Sequence, residues 1–193
     1  MNYALIFAGG TGSRMGGPVP KQFLEVDNKP IIIHTVEVFN NTEAIDGIVI
    51  VCVKEYIDYC RKLAEKFNIN KLIDIIPGGA TGQKSIFEGL KYIYSRVSKK
   101  PKKDTVLIND GVRPIIDEEL IKKNIECTEK NGNCVSVAKA IETIITVDDI
   151  GQMNNTIDRS RCRYAKAPQT FILEDIYKTH LKAINDGEEN IID

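Results

Sequence analysis

The run Gly47–Val53 (GIVIVCV) carries no polar side chain on either alternating face, and that restricts the fold more than any other feature of the chain. A strand apolar on both faces has to be covered on both faces, as in a parallel sheet flanked by helices. The surrounding sequence has the matching rhythm of short apolar runs and segments of helical period. Strands are expected at Tyr3–Ala8, Gly47–Val53, Ile73–Ile76, Thr105–Ile108 and Cys134–Ala138. Helices are expected at Pro30–Asn41, with Pro30 in the first turn, at Glu55–Phe67, at Thr81 to about Val97, from a cap at Asp117 to about Asn131, and from Leu173 to about Asn185. This alternation predicts an α/β, Rossmann-like fold: a mostly parallel twisted sheet with helices on both faces and right-handed crossovers. Ligands of such sheets bind beyond the carboxyl ends of the strands. The loops after Ala8, Ile76 and Ile108 are therefore expected to converge on one crevice.

After Ala138 the pattern changes. Glu142–Val147 and Asn155–Arg159 flank the turn residues Asp148 to Gln152 and predict a protruding β-hairpin arm, spanning about residues 139–164. It would cap a site or pair with another subunit. With 193 residues, the chain is long enough for one domain with a sizeable core, and residues 1–193 are taken as a single domain.

Composition narrows the function classes. A net charge of −1 does not suit a dedicated nucleic-acid binder. No window approaches the roughly 18 apolar residues of a membrane span. The N-terminus runs into a glycine loop without a signal-peptide layout, so a cytoplasmic location is expected. Five cysteines include no CxxC pair, and only His34 and His180 could join them at a metal, so reduced, mostly buried thiols are expected. The lysine-rich stretch 99–103 reads as a solvated loop.

The first strand passes directly into Gly9-Gly10-Thr11-Gly12-Ser13-Arg14-Met15-Gly16. Glycines let backbone N–H groups approach an anion closely, while Arg14 and Lys21 supply full positive charge. The P-loop pattern fails because no lysine follows the last glycine, and the dinucleotide pattern fails because Met15 stands at its third glycine position. Phosphate binding follows; the nucleotide does not.

The run Ala8 to Met15 followed by Pro20-Lys21-Gln22-Phe23 resembles the signature of cytidylyltransferases that act on sugar-alcohol phosphates. Gly78-Gly79…Ser85, Asp110-Gly111-Val112-Arg113-Pro114, Glu142-Thr143, Thr156-Ile157-Asp158-Arg159 and Ala167-Pro168-Gln169-Thr170-Phe171 match in the same order, across essentially the whole chain. The resemblance implies a fold of the nucleotide-diphospho-sugar transferase type and transfer of CMP from CTP to a polyol phosphate with release of pyrophosphate. Catalytic roles fall to Arg14, Lys21 and Arg159. Ala8, Gly9, Gly10, Gly12, Arg14, Lys21, Gly79, Ala80, Ser85, Asp110 and Gly111 would bind the nucleotide. Asp110, Arg113, Thr143 and Arg159 would face the acceptor, Asp110 would also hold Mg²⁺, and a homodimer through the hairpin arm is implied.

Single positions admit plainer roles: Asp110 as a turn former, Ser85 as a helix cap, and Arg159 with Arg161 and Arg163 as a contact surface. The chain departs from the family at Thr81-Gly82-Gln83, where relatives carry an arginine, and at Asn109, where many carry histidine. It also stops at Asp193, before a stretch with a further phosphate-binding lysine, so the family domain is expected to lack its C-terminal part. Thr156 to Arg159 is similar to the 2-C-methyl-D-erythritol 4-phosphate branch, whereas Ala140 to Ile144 and Asn28 to Ile31 are similar to the ribitol 5-phosphate branch. The acceptor stays open between them. The alternatives are a sugar-1-phosphate nucleotidyltransferase using another nucleoside triphosphate and a catalytically impaired nucleotide-binding subunit.

Overall fold

The computed structural model describes residues 1–9 and 19–188. Six strands form one sheet: β1 (Asn2–Ala8), β4 (Gly47–Cys52), β5 (Leu72–Pro77), β6 (Thr105–Asp110), β7 (Asn133–Lys139) and β10 (Arg163–Ile172). Their spatial order is β5-β4-β1-β6-β10-β7. β1 pairs in parallel with β4 and β6, and β4 in parallel with β5, whereas β10 runs antiparallel to both β6 and β7. The expected mostly parallel sheet is thus present, with one reversed strand inserted.

Every residue of β4 is buried, as its two apolar faces require. One face packs Ala4, Ile6, Ile48 and Ile50 against α1 (Ile31–Asn41), α2 (Ile57–Lys66) and α4 (Glu118–Asn131). The other packs Tyr3, Leu5, Val49, Val51 and Val106 against α3 (Gly82–Tyr92) and the start of α5 (Leu173–Asn185). Fully burying one such side chain contributes roughly 1.5–3 kcal/mol, so these alternating strand residues dominate the stability of the layers. Asp117 caps α4 by accepting from Leu120 N–H at 2.7 Å, and Gly132 ends it at φ 86°.

The structure shifts several expected boundaries. Pro30 is the N-cap of α1, not a residue of its first turn, because it pairs with Glu25 in a small hairpin of β2 (Glu25–Val26) and β3 (Lys29–Pro30). Asp27 and Asn28 turn that hairpin at φ 51° and 58°, the backbone a two-residue loop demands. A 3-10 turn at Lys54–Tyr56 precedes α2, and a π turn at Ile93–Val97 ends the third helix. β10 has no counterpart among the expected strands, since Pro168 removes a ladder donor. The strand absorbs it where the β7 register shifts between Ala165 and Gln169.

The arm is present as β8 (Ile144–Val147) paired antiparallel with β9 (Met153–Ile157). Its first strand starts two residues later than expected, and its second is displaced by two residues toward the hairpin tip. Arg159 lies outside it in a 3-10 turn, Arg159–Arg161, which Asp158 caps by accepting from Ser160 N–H at 3.0 Å. Among the described residues no helix is long and apolar enough to cross a membrane.

Candidate functional site

The carboxyl ends of β1, β4, β5 and β6 share one edge of the sheet, and backbone hydrogen bonds continue past the strands there. Gly78 N–H donates to the Cys52 carbonyl at 2.9 Å, and Gly111 N–H to the Phe7 carbonyl at 3.0 Å. The end of β5 is thereby held beside that of β4, and the turn after Asp110 beside the end of β1; of the loop after Ala8, only Gly9 lies among the described residues at this edge.

Ser85 organises two of these loops. Its buried hydroxyl accepts from Gly79 N–H at 3.1 Å and lies 2.9 Å from the Thr81 carbonyl and 3.3 Å from that of Gly79. A methyl group on Gly9 or Gly78 would stand 2.8 Å from that same oxygen. Both glycines are therefore needed for the strand ends to close around the serine. The cap of α3 is Thr81, which accepts from Lys84 N–H at 3.1 Å, so Ser85 is not the cap. Ala80 is exposed at the loop tip.

Asp110 ends β6 with a half-buried side chain. Its Oδ1 accepts from Val112 N–H at 3.1 Å, and its Oδ2 lies 3.5 Å from Arg113 Nε. From the opposite layer, Thr35 of α1 donates to the Gly111 carbonyl at 2.9 Å and pins the turn. Asn109 is completely buried. Its Nδ2 donates to the Asp110 carbonyl, while its Oδ1 has no partner among the described residues.

Asp110 and Arg113 open onto a cavity of about 510 Å³ between the sheet, α3 and α5. Phe7, Ile86, Ile108 and Phe171 line its inner wall, and Gln83, Lys166, Gln169 and His180 add polar groups. These last four were not expected from sequence. A strand covering Gln169 and Phe171 would have revealed Gln169 by alternation, but Pro168 masks that strand; Lys166 has the opposite parity and lies where the register against β7 shifts. His180 Nδ1 is buried without a hydrogen-bond partner among the described residues, and burial pushes its pKa below the ordinary histidine value.

Lys21 is half-buried at the head of a 3-10 turn, Lys21–Phe23, whose Phe23 ring stacks on Tyr56 with centroids 4.8 Å apart. Thr143 and Arg159 are exposed at the base of the arm; neither lines the Asp110 cavity, and Arg159 Nη1 donates to the Ile141 carbonyl at 2.8 Å. Gly10, Gly12 and Arg14 lie outside the described residues.

Among the described residues no group of three or more His, Cys, Asp or Glu side chains could hold a metal. A lone carboxylate at a strand end still suits Mg²⁺, which takes one or two carboxylates and fills its octahedron from phosphate oxygens and water. Asp110 retains oxygen lone pairs for such a role beside its contacts with Val112 and Arg113.

Residues 3–193 match the family model described as 2-C-methyl-D-erythritol 4-phosphate cytidylyltransferase (IspD). The ribitol-5-phosphate cytidylyltransferase of Vibrio parahaemolyticus is 48% identical over 194 residues, covering 100% of this chain and 80% of the relative. The 2-C-methyl-D-erythritol 4-phosphate cytidylyltransferase of Clostridium acetobutylicum is 35% identical over 188 residues, covering 97% and 79%. The crystal structure of 4-diphosphocytidyl-2C-methyl-D-erythritol synthase from Anaerococcus prevotii superposes with a TM-score of 0.84 at 29% identity, over 100% of this chain and 78% of that one.

Proposed function

The chain belongs to the 2-C-methyl-D-erythritol 4-phosphate cytidylyltransferase family, and from that premise we propose that its acceptor is ribitol 5-phosphate. It is a nucleotidyltransferase that moves CMP from CTP to a polyol phosphate. The observation that carries the choice of acceptor is the identity gap: 48% to a ribitol-5-phosphate enzyme against 35% to a methylerythritol-phosphate enzyme, each over nearly the full chain.

The acceptor's phosphate oxygen attacks the α-phosphorus of CTP in line. The new P–O bond forms as the bond to the β-phosphate oxygen breaks, and pyrophosphate leaves with the electron pair. The nucleophile is already anionic near neutrality, so no strong general base is required. Catalysis is positioning and charge stabilisation. Lys21 and Arg14 hold the triphosphate and neutralise charge that grows on the α-phosphate. The main chain at Ala8 and Gly9, continuing through Gly10 and Gly12, carries the phosphates. Gly79 and Ala80, on the loop that Ser85 braces, face the base, and Gly111 lies beside the nucleotide. Asp110 would hold Mg²⁺, which when bound neutralises triphosphate charge. Arg113 faces the acceptor phosphate, its guanidinium oriented by Asp110.

Thr143 and Arg159 serve the acceptor from the arm. Because neither lines the Asp110 cavity of its own chain, they fit best where the arm of a second copy reaches over. The arm exposes Val147, Ile150 and Met153, an apolar surface that suits burial in a homodimer. All five cysteines are free, which supports a reducing, cytoplasmic setting.

The test is CTP- and acceptor-dependent pyrophosphate release. Lys21→Ala and Arg14→Ala are expected to lower turnover by orders of magnitude while keeping the fold. Near-parental release by both would overturn the assignment of the donor site. Turnover with UTP or GTP and a sugar 1-phosphate, but not with CTP, would overturn the class of reaction.

A further inference from the structure

Lys21 owes its place to a turn too short to hold itself. The 3-10 turn Lys21–Phe23 is closed by Phe23 N–H donating to the Pro20 carbonyl at 2.9 Å and Leu24 N–H donating to the Lys21 carbonyl at 3.2 Å. Single 3-10 turns have poor hydrogen-bond geometry, so their position depends on side-chain anchors. Two adjacent side chains supply them. Phe23 is buried and stacks on Tyr56, fixing the turn against the segment that leads into α2. Gln22 is 1% exposed, and its Nε2 donates to the Ala8 carbonyl at 2.7 Å. Ala8 is the last residue of β1, so this bond ties the lysine turn to the point where the glycine loop leaves the sheet.

A buried carboxamide is costly unless hydrogen-bonded, and an apolar side chain of equal length would fill the same space without that cost. What the amide adds is direction. Stacking on Tyr56 holds the turn against a flat ring face, which restrains sliding weakly. A 2.7 Å bond to a strand-terminal carbonyl restrains the turn at one point of the rigid sheet. We propose that Gln22 is a positioning residue: through its bond to Ala8 it sets Lys21 relative to the first residues of the glycine loop, and so sets where positive charge meets the α-phosphate. The inference rests on the reading of Lys21 as a charge-stabilising group, and it assigns Gln22 no contact with substrate.

The test is a double-mutant cycle on the full chain using Gln22→Met, Lys21→Ala and the combination. CTP binding is measured by calorimetry and pyrophosphate release by steady-state kinetics. Normalising turnover to the number of CTP-binding sites removes any loss of folded protein. Gln22→Met is expected to lower kcat by about 10- to 100-fold, the scale of an ångström-level misplacement, with the KM for CTP changed by less than about threefold. In the Lys21→Ala background the same substitution is expected to add less than about twofold, because the group it positions is already gone. Gln22→Asn keeps a donor but is one methylene too short, and is expected to fall between Gln22→Met and the parent. Parental kcat per site in Gln22→Met, or effects that multiply in the double variant, would overturn the proposal. Near-parental turnover of Lys21→Ala alone would instead overturn the reading of Lys21 on which it rests.

Discussion

Removing one oxygen from Ser85 isolates the contribution of the loop it braces. In Ser85→Ala the Cβ stays in place and the core beneath it is unchanged, but Gly79 N–H loses an acceptor at 3.1 Å and the Thr81 carbonyl loses a donor at 2.9 Å. An intramolecular hydrogen bond contributes about 0.5–1.5 kcal/mol net, and a buried donor left unsatisfied costs about 1–3 kcal/mol. Gly79 is half-buried, so water recovers part of this, and a loss of about 1 kcal/mol is expected. For a chain of this size that corresponds to a fall of about 2–4 °C in Tm. If the 78–80 loop must be ordered before it can read the base, the same loss lowers CTP affinity about fivefold. It should also blunt discrimination if the carbonyls of that loop accept from the exocyclic amine of cytosine, a donor that uracil lacks. Thermal unfolding with and without CTP, together with kcat/KM for CTP and UTP, reads both effects. A variant with lower Tm but unchanged CTP affinity and selectivity would refute the link between the serine and base recognition. A companion substitution checks the geometry: Gly78→Ala alone forces its methyl to 2.8 Å from the hydroxyl, whereas in Ser85→Ala the nearest serine-derived atom is Cβ at 3.4 Å. The second substitution is therefore expected to relieve part of the damage done by the first.

Two further outcomes concern pH and assembly. His180 is held neutral by burial, so its folded-state pKa lies below the ordinary 6.5 and the unfolded chain binds the extra proton first. Stability is then fully present above pH 6.5 and is lost as pH falls through the lowered value; unfolding midpoints across this range should fall in the parent and fall less in His180→Leu. On the arm, Ile150→Asp places charge on a side chain 77% exposed at the hairpin tip, where it costs the monomer little. Sedimentation is expected to show a shift from dimer to monomer with unchanged Tm at low concentration, and an unshifted dimer would move the interface elsewhere.

The layered fold was legible because its signal is local and repeated. Gly47–Val53 and Thr105–Ile108 read as strands from their own composition, close to the observed Gly47–Cys52 and Thr105–Asp110, and Asp117 marks the start of α4 without tertiary information. β10 was not legible, since a proline inside the strand and a register shift against β7 are tolerated only because the partner strands already exist. The same cause hid Lys166 and Gln169 from the site, and His180 was hidden because only the packing of α5 on the sheet brings it to the cavity. Asp110 and Arg113 were found together through the family motif Asp110-Gly111-Val112-Arg113-Pro114, and the turn after β6 brings their side chains within 3.5 Å. Ser85 was found as a position but not as a brace; Gly9 and Gly78, which close on its hydroxyl, are far apart in sequence and meet only through the strand order.

The central claim is that this chain transfers CMP to ribitol 5-phosphate in preference to 2-C-methyl-D-erythritol 4-phosphate. The direct measurement supplies both acceptors in one reaction with CTP and Mg²⁺ and counts the two CDP-polyol products by mass. Predominance of CDP-ribitol is the predicted result. Predominance of the methylerythritol product, or pyrophosphate release with neither product formed, would contradict it.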